Sequence, residues 1–193
     1  MNNNRIKISD KQTLEKAWFK IERIKFDYLL EDGTWQPQTR DIHDHGNGAT
    51  VLLYNKKKKT IILTKQLRMA TYVNGNKTGM MIEAPAGLLE GDSPEACIIR
   101  EVEEETGYRI KKVKKIMESY MTPGAVTELL YLFIAEYDES MKVSEGGGVE
   151  EEHENIEVIE LEFEKAKKMM KDGEIKDAKT ILLIQYAQLH NLI

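Results

Sequence analysis

A chain of 193 residues with 41% hydrophobic and 32% charged side chains is large enough to bury a core without disulfides or structural metals. The formal net charge of −5 argues against non-specific nucleic-acid binding, which depends on a basic surface that neutralises phosphates. Cys97 is the single cysteine, so no internal disulfide can form. No apolar run approaches bilayer length, and the opening Met1 to Arg5 lacks the apolar stretch of a signal peptide, so a cytoplasmic protein without a membrane partner is expected.

In chain order, residues 17–30 mix aromatic and β-branched side chains with charges and run into the turn signal Glu31-Asp32-Gly33. Residues 35–43 then return as a second strand of a hairpin. Gly46 and Gly48 open an apolar strand over 49–54. The lysines at 56–59 form a hydrated hairpin tip, and 60–65 returns as the next strand. Residues 80–84 lead to Gly87. Strands are predicted over 112–120 and 128–137, separated by Thr122-Pro123-Gly124. Residues 139–155 are polar, with Gly146 to Gly148 followed by Glu150, Glu151, Glu152 and Glu154; they cannot build core and are expected to be a mobile loop. A last strand over 156–161 precedes helices over 163–171 and 176–190, broken at Asp172-Gly173. In the final helix Ile181, Ile184, Gln185 and Leu189 recur at helical spacing and are expected to pack on the sheet. Strands dominate the first half and helices follow, an α+β order.

Between Gly87 and Gly107 lies the most chemically specific segment. Ser93 is a natural N-cap, Pro94 suits the first helical position and Gly107 is a natural terminator, so a helix of about three to four turns is predicted. At about 100° per residue, Glu101, Glu104 and Glu105 fall on one face, apart from a stripe of Ile98, Ile99 and Val102. The like-charged pair Glu101 and Glu105, one turn apart, weakens the helix unless a cation offsets it. Hard divalent ions take oxygen ligands, and Mg²⁺ combines one or two carboxylates with substrate phosphates and water. The three glutamates are therefore candidate metal ligands beside a glycine turn suited to a diphosphate. On the wheel Arg100 points away from the acidic face. Cys97, at the edge of that stripe, reads as an inert structural thiol, and His43 and His45 beside Asp44 as polar surface.

Arg100, Glu101, Val102, Glu104, Glu105, Gly107 and Tyr108 match, position by position, the second half of the Nudix box, and the segment resembles that family. The Gly87-to-Arg100 spacing is one residue shorter than the family pattern, which puts Asp92 where a glutamate stands. The resemblance implies an α/β/α sandwich around a mixed sheet. It also implies an N-terminal β extension over 1–45 that contacts a second copy in a homodimer, ahead of a hydrolase domain over 46–193. Hydrolysis of a nucleoside diphosphate linked to another moiety, with Mg²⁺ or Mn²⁺, follows from the same likeness. Further implied are the backbone carbonyl of Ala86 as a metal ligand, Arg100 as the residue that orients a box glutamate, and Glu104 as a catalytic neighbour of the metal. An acid of the glycine-rich loop serves as metal ligand or base, Glu152 first and Glu151 next.

Arg68, Arg40 and Trp18 are candidates to hold phosphate or base, since arginine offers a planar fork and tryptophan a stacking face. Lys179, Glu128, Glu150 and Glu151 join them as substrate contacts by resemblance. Pro123 lies 16 residues after Gly107, as in the ADP-ribose and nucleotide-sugar branch of the family. The segments 46–50, 72–76, 122–128 and 146–150 look most like its GDP-mannose pyrophosphatase group. Two other readings stay open at this point: an ADP-ribose pyrophosphatase, and a non-catalytic nucleotide-sugar sensor on the same fold.

Overall fold

The computed structural model describes residues 6–16, 19–149 and 154–193. By contact density the chain divides into two compact units. One comprises the chain up to Asn47 together with Tyr120–Leu129, and the other Gly48–Ser119 with Leu130–Ile193.

The first unit is built on three antiparallel strands, β1 (Ile6–Lys16), β2 (Lys20–Leu29) and β3 (Trp35–Asp44), in that order. The β2–β3 pairing runs without a slip from Lys20↔Asp44 to Leu29↔Trp35, closed by the turn at Gly33. That hairpin was legible from its turn signal. β1 was not, because its residues alternate charged and apolar side chains too weakly to stand out from a polar terminus. Within this unit the backbone of His43 exchanges hydrogen bonds with Ala125 and Thr127, and Thr127 donates its hydroxyl to Asp44.

In the second unit a seven-stranded mixed sheet forms the frame. Its main path is β10 (Glu157–Glu162), β5 (Thr60–Leu67), β4 (Gly48–Asn55), β9 (Leu129–Glu136) and β8 (Lys114–Tyr120). β6 (Met80–Glu83) pairs with β5, and β7 (Ala86–Leu88) with β4. The β4–β9 pair is parallel; the registered pairs β4–β5, β5–β6, β5–β10 and β4–β7 are antiparallel. β4 is buried along its whole length, because both faces are covered. Ala49, Val51 and Leu53 share a core with Cys97, Ile98 and Val102 of α2 (Pro94–Thr106), and α4 (Ala178–Leu189) packs on β4 as well. Helices over a mixed sheet give the expected layered α+β sandwich.

The lysine tip is a β4–β5 hairpin in which the Asn55 side chain accepts from the backbone N–H groups of Lys57 and Lys58. Two short elements, α1 (Met69–Val73) and β7, lay below the length at which periodicity can be read. α3 (Phe163–Lys171) and α4 form where expected, but the buried stripe of α4 is Thr180, Leu183, Ile184 and Ala187. Gln185 and Leu189 face outward instead of packing on the sheet. The run Ile181 to Ile184 is apolar on every side of the helix, so spacing alone could not set its phase.

The glycine-rich segment requires a larger correction. Residues 139–149 are not a free loop; they are strapped to the end of α2. Val143 and Ser144 donate backbone N–H groups to the Gly107 carbonyl, Gly147 to that of Glu105 and Gly148 to that of Glu104. These bonds satisfy carbonyls that a helix C-terminus leaves open. The glycines provide close approach: a Cβ on Gly146 would lie 2.5 Å from the Glu105 oxygen, and one on Gly107 2.1 Å from that of Ser144.

Candidate active site

α2 begins and ends as its sequence dictates. The Ser93 side chain accepts from the Ala96 N–H at 3.2 Å, Pro94 takes the first position, and Gly107 adopts φ 75° at the C-cap. What the wheel missed is which part of the helix is buried. Glu105 lies about 20° from Ile98 in projection, inside the apolar arc. It is accordingly 2% exposed, among Ile98, Val102 and Thr106. The acidic face of α2 therefore points partly into the protein.

Gly87 makes room for Glu101. A Cβ at Gly87 would sit 2.2 Å from the Glu101 carboxyl carbon, so that carboxylate lies directly against the backbone of β7. Next to Gly87 on the same strand, Ala86 donates its backbone N–H to Glu105. β7 is held in turn by β4: Thr50 pairs with Ala86, and the Thr50 hydroxyl and Val51 N–H both donate to the Pro85 carbonyl.

Glu105 is the electrostatic centre of this arrangement. Burial pushes its carboxyl up to about 8, the charges of Glu101 and Glu154 push the same way, and the Ala86 N–H and Arg68 oppose them. Its Oε2 is buried and has no hydrogen-bond partner among the described residues. A desolvated acid with an unsatisfied oxygen and two like charges nearby fits a hard divalent cation, which would restore its ionisation. Among the described residues no three acidic, histidine or cysteine side chains already form a cation cage. Mg²⁺ needs none, since substrate oxygens and water complete its shell.

Arg100 does not point away, as the wheel suggested. Its long side chain turns back, and Nη1 lies 3.0 Å from both Glu101 and Glu104, with Asp92 at 3.8 Å from Nε. Asp92, the residue displaced by the shortened spacing, thus reaches the same arginine. Cys97 is buried, its thiol sits 3.2 Å from the Leu88 carbonyl, and burial pushes its pKa up to about 11, consistent with an inert thiol.

Across from α2, Arg68 follows β5 and Lys179 lies in the first turn of α4. Both contact Glu83 at the end of β6. Arg68 Nε and Nη2 donate to the Glu83 carboxylate at 3.0 and 2.8 Å, and Lys179 Nζ at 3.0 Å. Glu83 escaped the sequence reading because its partners are 15 and 96 residues away. Arg68 also acts electrostatically on Glu105, which ties this cationic pair to the carboxylates.

Ala86, Arg100, Glu101, Glu104, Glu105, Arg68 and Lys179 thus belong to the second unit. Arg40 and Glu128 belong to the first, where Arg40 lines a cleft of about 660 Å³ with Tyr120, Pro123 and Thr127. Trp18, Glu150, Glu151 and Glu152 lie outside the described residues.

Residues 44–183 match the NUDIX domain family, and the chain belongs to it. Residues 5–43 match a second family, the GDP-mannose pyrophosphatase NudK N-terminal domain. A GDP-mannose pyrophosphatase of Yersinia pestis (strain Pestoides F) is 55% identical over 179 residues, covering 93% of this chain and 89% of that protein. One from Yersinia enterocolitica is 52% identical over 94% of each chain, and one from Shigella dysenteriae 50% identical over 96% of each.

Proposed function

We propose that this protein is a pyrophosphatase that hydrolyses the diphosphate of a nucleoside diphosphate sugar, GDP-mannose foremost, to GMP and mannose 1-phosphate. The observation that carries the reading is the buried Glu105 carboxylate, unsatisfied at Oε2 among the described residues, with the charges of Glu101 and Arg68 acting on it and the Glu101 carboxylate set against the Gly87 backbone. The names of relatives at 50 to 55% identity supply the sugar and the base.

In this reading Glu101, Glu105 and the Ala86 carbonyl hold Mg²⁺, or Mn²⁺ in its place, with Glu104 and Glu152 as further ligands. The bound ion supplies charge neutralisation on the phosphoryl oxygens and an acidified water. Arg100 keeps Glu101 and Glu104 in place. Arg68 and Lys179 take the substrate diphosphate, which matches the planar fork of one and the compact charge of the other. Water attacks phosphorus, and Glu152 or Glu151 accepts its proton. Trp18, Arg40, Glu128, Glu150 and Glu151 contact the nucleotide and sugar. Residues 1–45 form the contact of a homodimer, and the enzyme works in the cytoplasm, where Cys97 stays reduced.

Purified protein incubated with GDP-mannose, other nucleotide sugars and ADP-ribose, with Mg²⁺ or with chelator, tests the proposal. Hydrolysis of GDP-mannose above the others, abolished by chelation, is expected. A preference for ADP-ribose would replace the substrate. Absence of turnover on the whole panel would leave a binding module.

A further inference from the structure

Glu83 has no role in the chemistry above, yet it is the most buried member of a cluster of charges. Its side chain is 5% exposed, that of Lys179 13% and that of Arg68 43%. Acid lies at the base and the guanidinium opens outward. A buried acid between two cations is a poor way to gain stability, because desolvation offsets most of the Coulombic attraction and an apolar trio of similar volume does as well. Its geometry does something an apolar trio could not. The Nε and Nη2 edge of Arg68 lies flat on the Glu83 carboxylate, which sets the plane of the guanidinium and leaves Nη1 without a hydrogen bond to any described residue.

Lys179 is held by two acids: its Nζ donates a hydrogen bond to Glu83 at 3.0 Å and forms an ion pair with Asp177 at 3.0 Å. Asp177 is itself pinned as the N-cap of α4, accepting from the backbone N–H and hydroxyl of Thr180. The Thr180 hydroxyl oxygen in turn accepts from the Ala84 N–H at 2.7 Å. That bond fastens the residue after Glu83 to α4, two residues short of Ala86 on β7. One continuous set of hydrogen bonds and ion pairs therefore links Ala84, Glu83 and both cations.

We infer that Glu83 is a positioning residue that holds Arg68 and Lys179 as one preassembled pair, with the Nη1 edge of one and the ammonium of the other serving the same diphosphate. The inference rests on the reading of Arg68 and Lys179 as substrate contacts. Preassembly spares the anion the cost of ordering two long side chains when it binds. Removing Glu83 frees both cations to repel each other and take other rotamers.

Two explanations predict opposite signs. Were charge alone important, Glu83→Gln would remove an anion from an anion site and tighten phosphate binding. Positioning requires that it weaken binding. The probe is inorganic pyrophosphate with Mg²⁺, titrated calorimetrically into wild type, Glu83→Gln, Arg68→Ala/Lys179→Ala and the triple variant, each first shown to melt cooperatively. Glu83→Gln is expected to weaken pyrophosphate by about tenfold, and to change affinity less than about twofold when both cations are already absent. Unchanged or tighter binding in Glu83→Gln overturns the inference, as does an equal loss in both backgrounds, which a general structural defect would give. Should Glu83→Gln fail to fold, Glu83→Asp carries the test. It keeps the charge but is one methylene short of spanning both cations, so about threefold weaker binding is expected and wild-type affinity refutes the idea. If Arg68→Ala/Lys179→Ala binds pyrophosphate like wild type, the assignment of those cations to substrate has failed and the inference falls with it, an outcome distinct from the loss of the Glu83 effect alone. Pyrophosphate binding needs no turnover, so the outcome is independent of which nucleotide sugar is cleaved.

Discussion

Glu105 carries a testable electrostatic debt. Its carboxyl sits at about 8 in the fold against an ordinary 4.5, so the native state binds the proton more tightly than the unfolded chain does. The stabilisation this gives is complete below pH 4.5 and is lost as pH rises through 8. In chelator at pH 8.5, Glu105→Gln should therefore melt about 4 °C or more above wild type. Added Mg²⁺ should raise the wild-type midpoint and leave that of the variant in place, while activity falls at least about 100-fold. Scanning fluorimetry with and without metal reads all three melting shifts, and a lower melting point for the variant in chelator would contradict the assignment. Gly87→Ala separates position from stability. The clash at 2.2 Å is with the far end of a flexible side chain, so Glu101 can move aside at little cost to the fold. The expected outcome is a melting point within about 2 °C of wild type and a loss of at least about tenfold in kcat/KM.

At the scale of elements, the end of α2 and the strap over 143–148 depend on each other. Gly107 and Gly146 both have positive φ, and a Cβ on either would meet backbone of the other segment, which cannot rotate away. Gly107→Ala or Gly146→Ala should each cost about 1–3 kcal/mol in urea unfolding, and should lower activity as well because Glu104 and Glu105 occupy the helix turn that the strap holds. Unfolding midpoints equal to wild type would show that the strap does not support the helix. The caps of α2 and the β2–β3 and β4–β5 hairpins were readable from sequence because each is decided by contacts within a few residues. β7 and the phase of α4 were not readable, since a three-residue strand and an all-round apolar run carry no period of their own. The glycine-rich strap was misread for a related reason: three glycines signal freedom or close approach equally, and only the neighbouring helix end decides which.

For the whole molecule, the three strands of the first unit form a sheet apart from the seven-stranded one, and residues 1–45 are proposed as the contact with a second copy. Sedimentation equilibrium at micromolar concentration should give a mass of twice the 22.2 kDa chain. A monomer at that concentration would remove the dimer from the proposal without touching the chemistry of α2. Among the described residues no helix is long and apolar enough to cross a membrane.

The capped helix that carries Glu101, Glu104 and Glu105, and the glycine that ends it, were determined by sequence alone, because capping, helical spacing and turn preference act within one or two turns of chain. Tertiary structure decided which carboxylate is desolvated and which edge of Arg68 makes no hydrogen bond to the described residues. Glu105 is shifted by the sheet it is pressed against, and Glu83 joins Arg68 to a lysine 96 residues downstream. Desolvation and long-range ion pairing depend on what the fold brings alongside, and no local pattern in the chain encodes that distance.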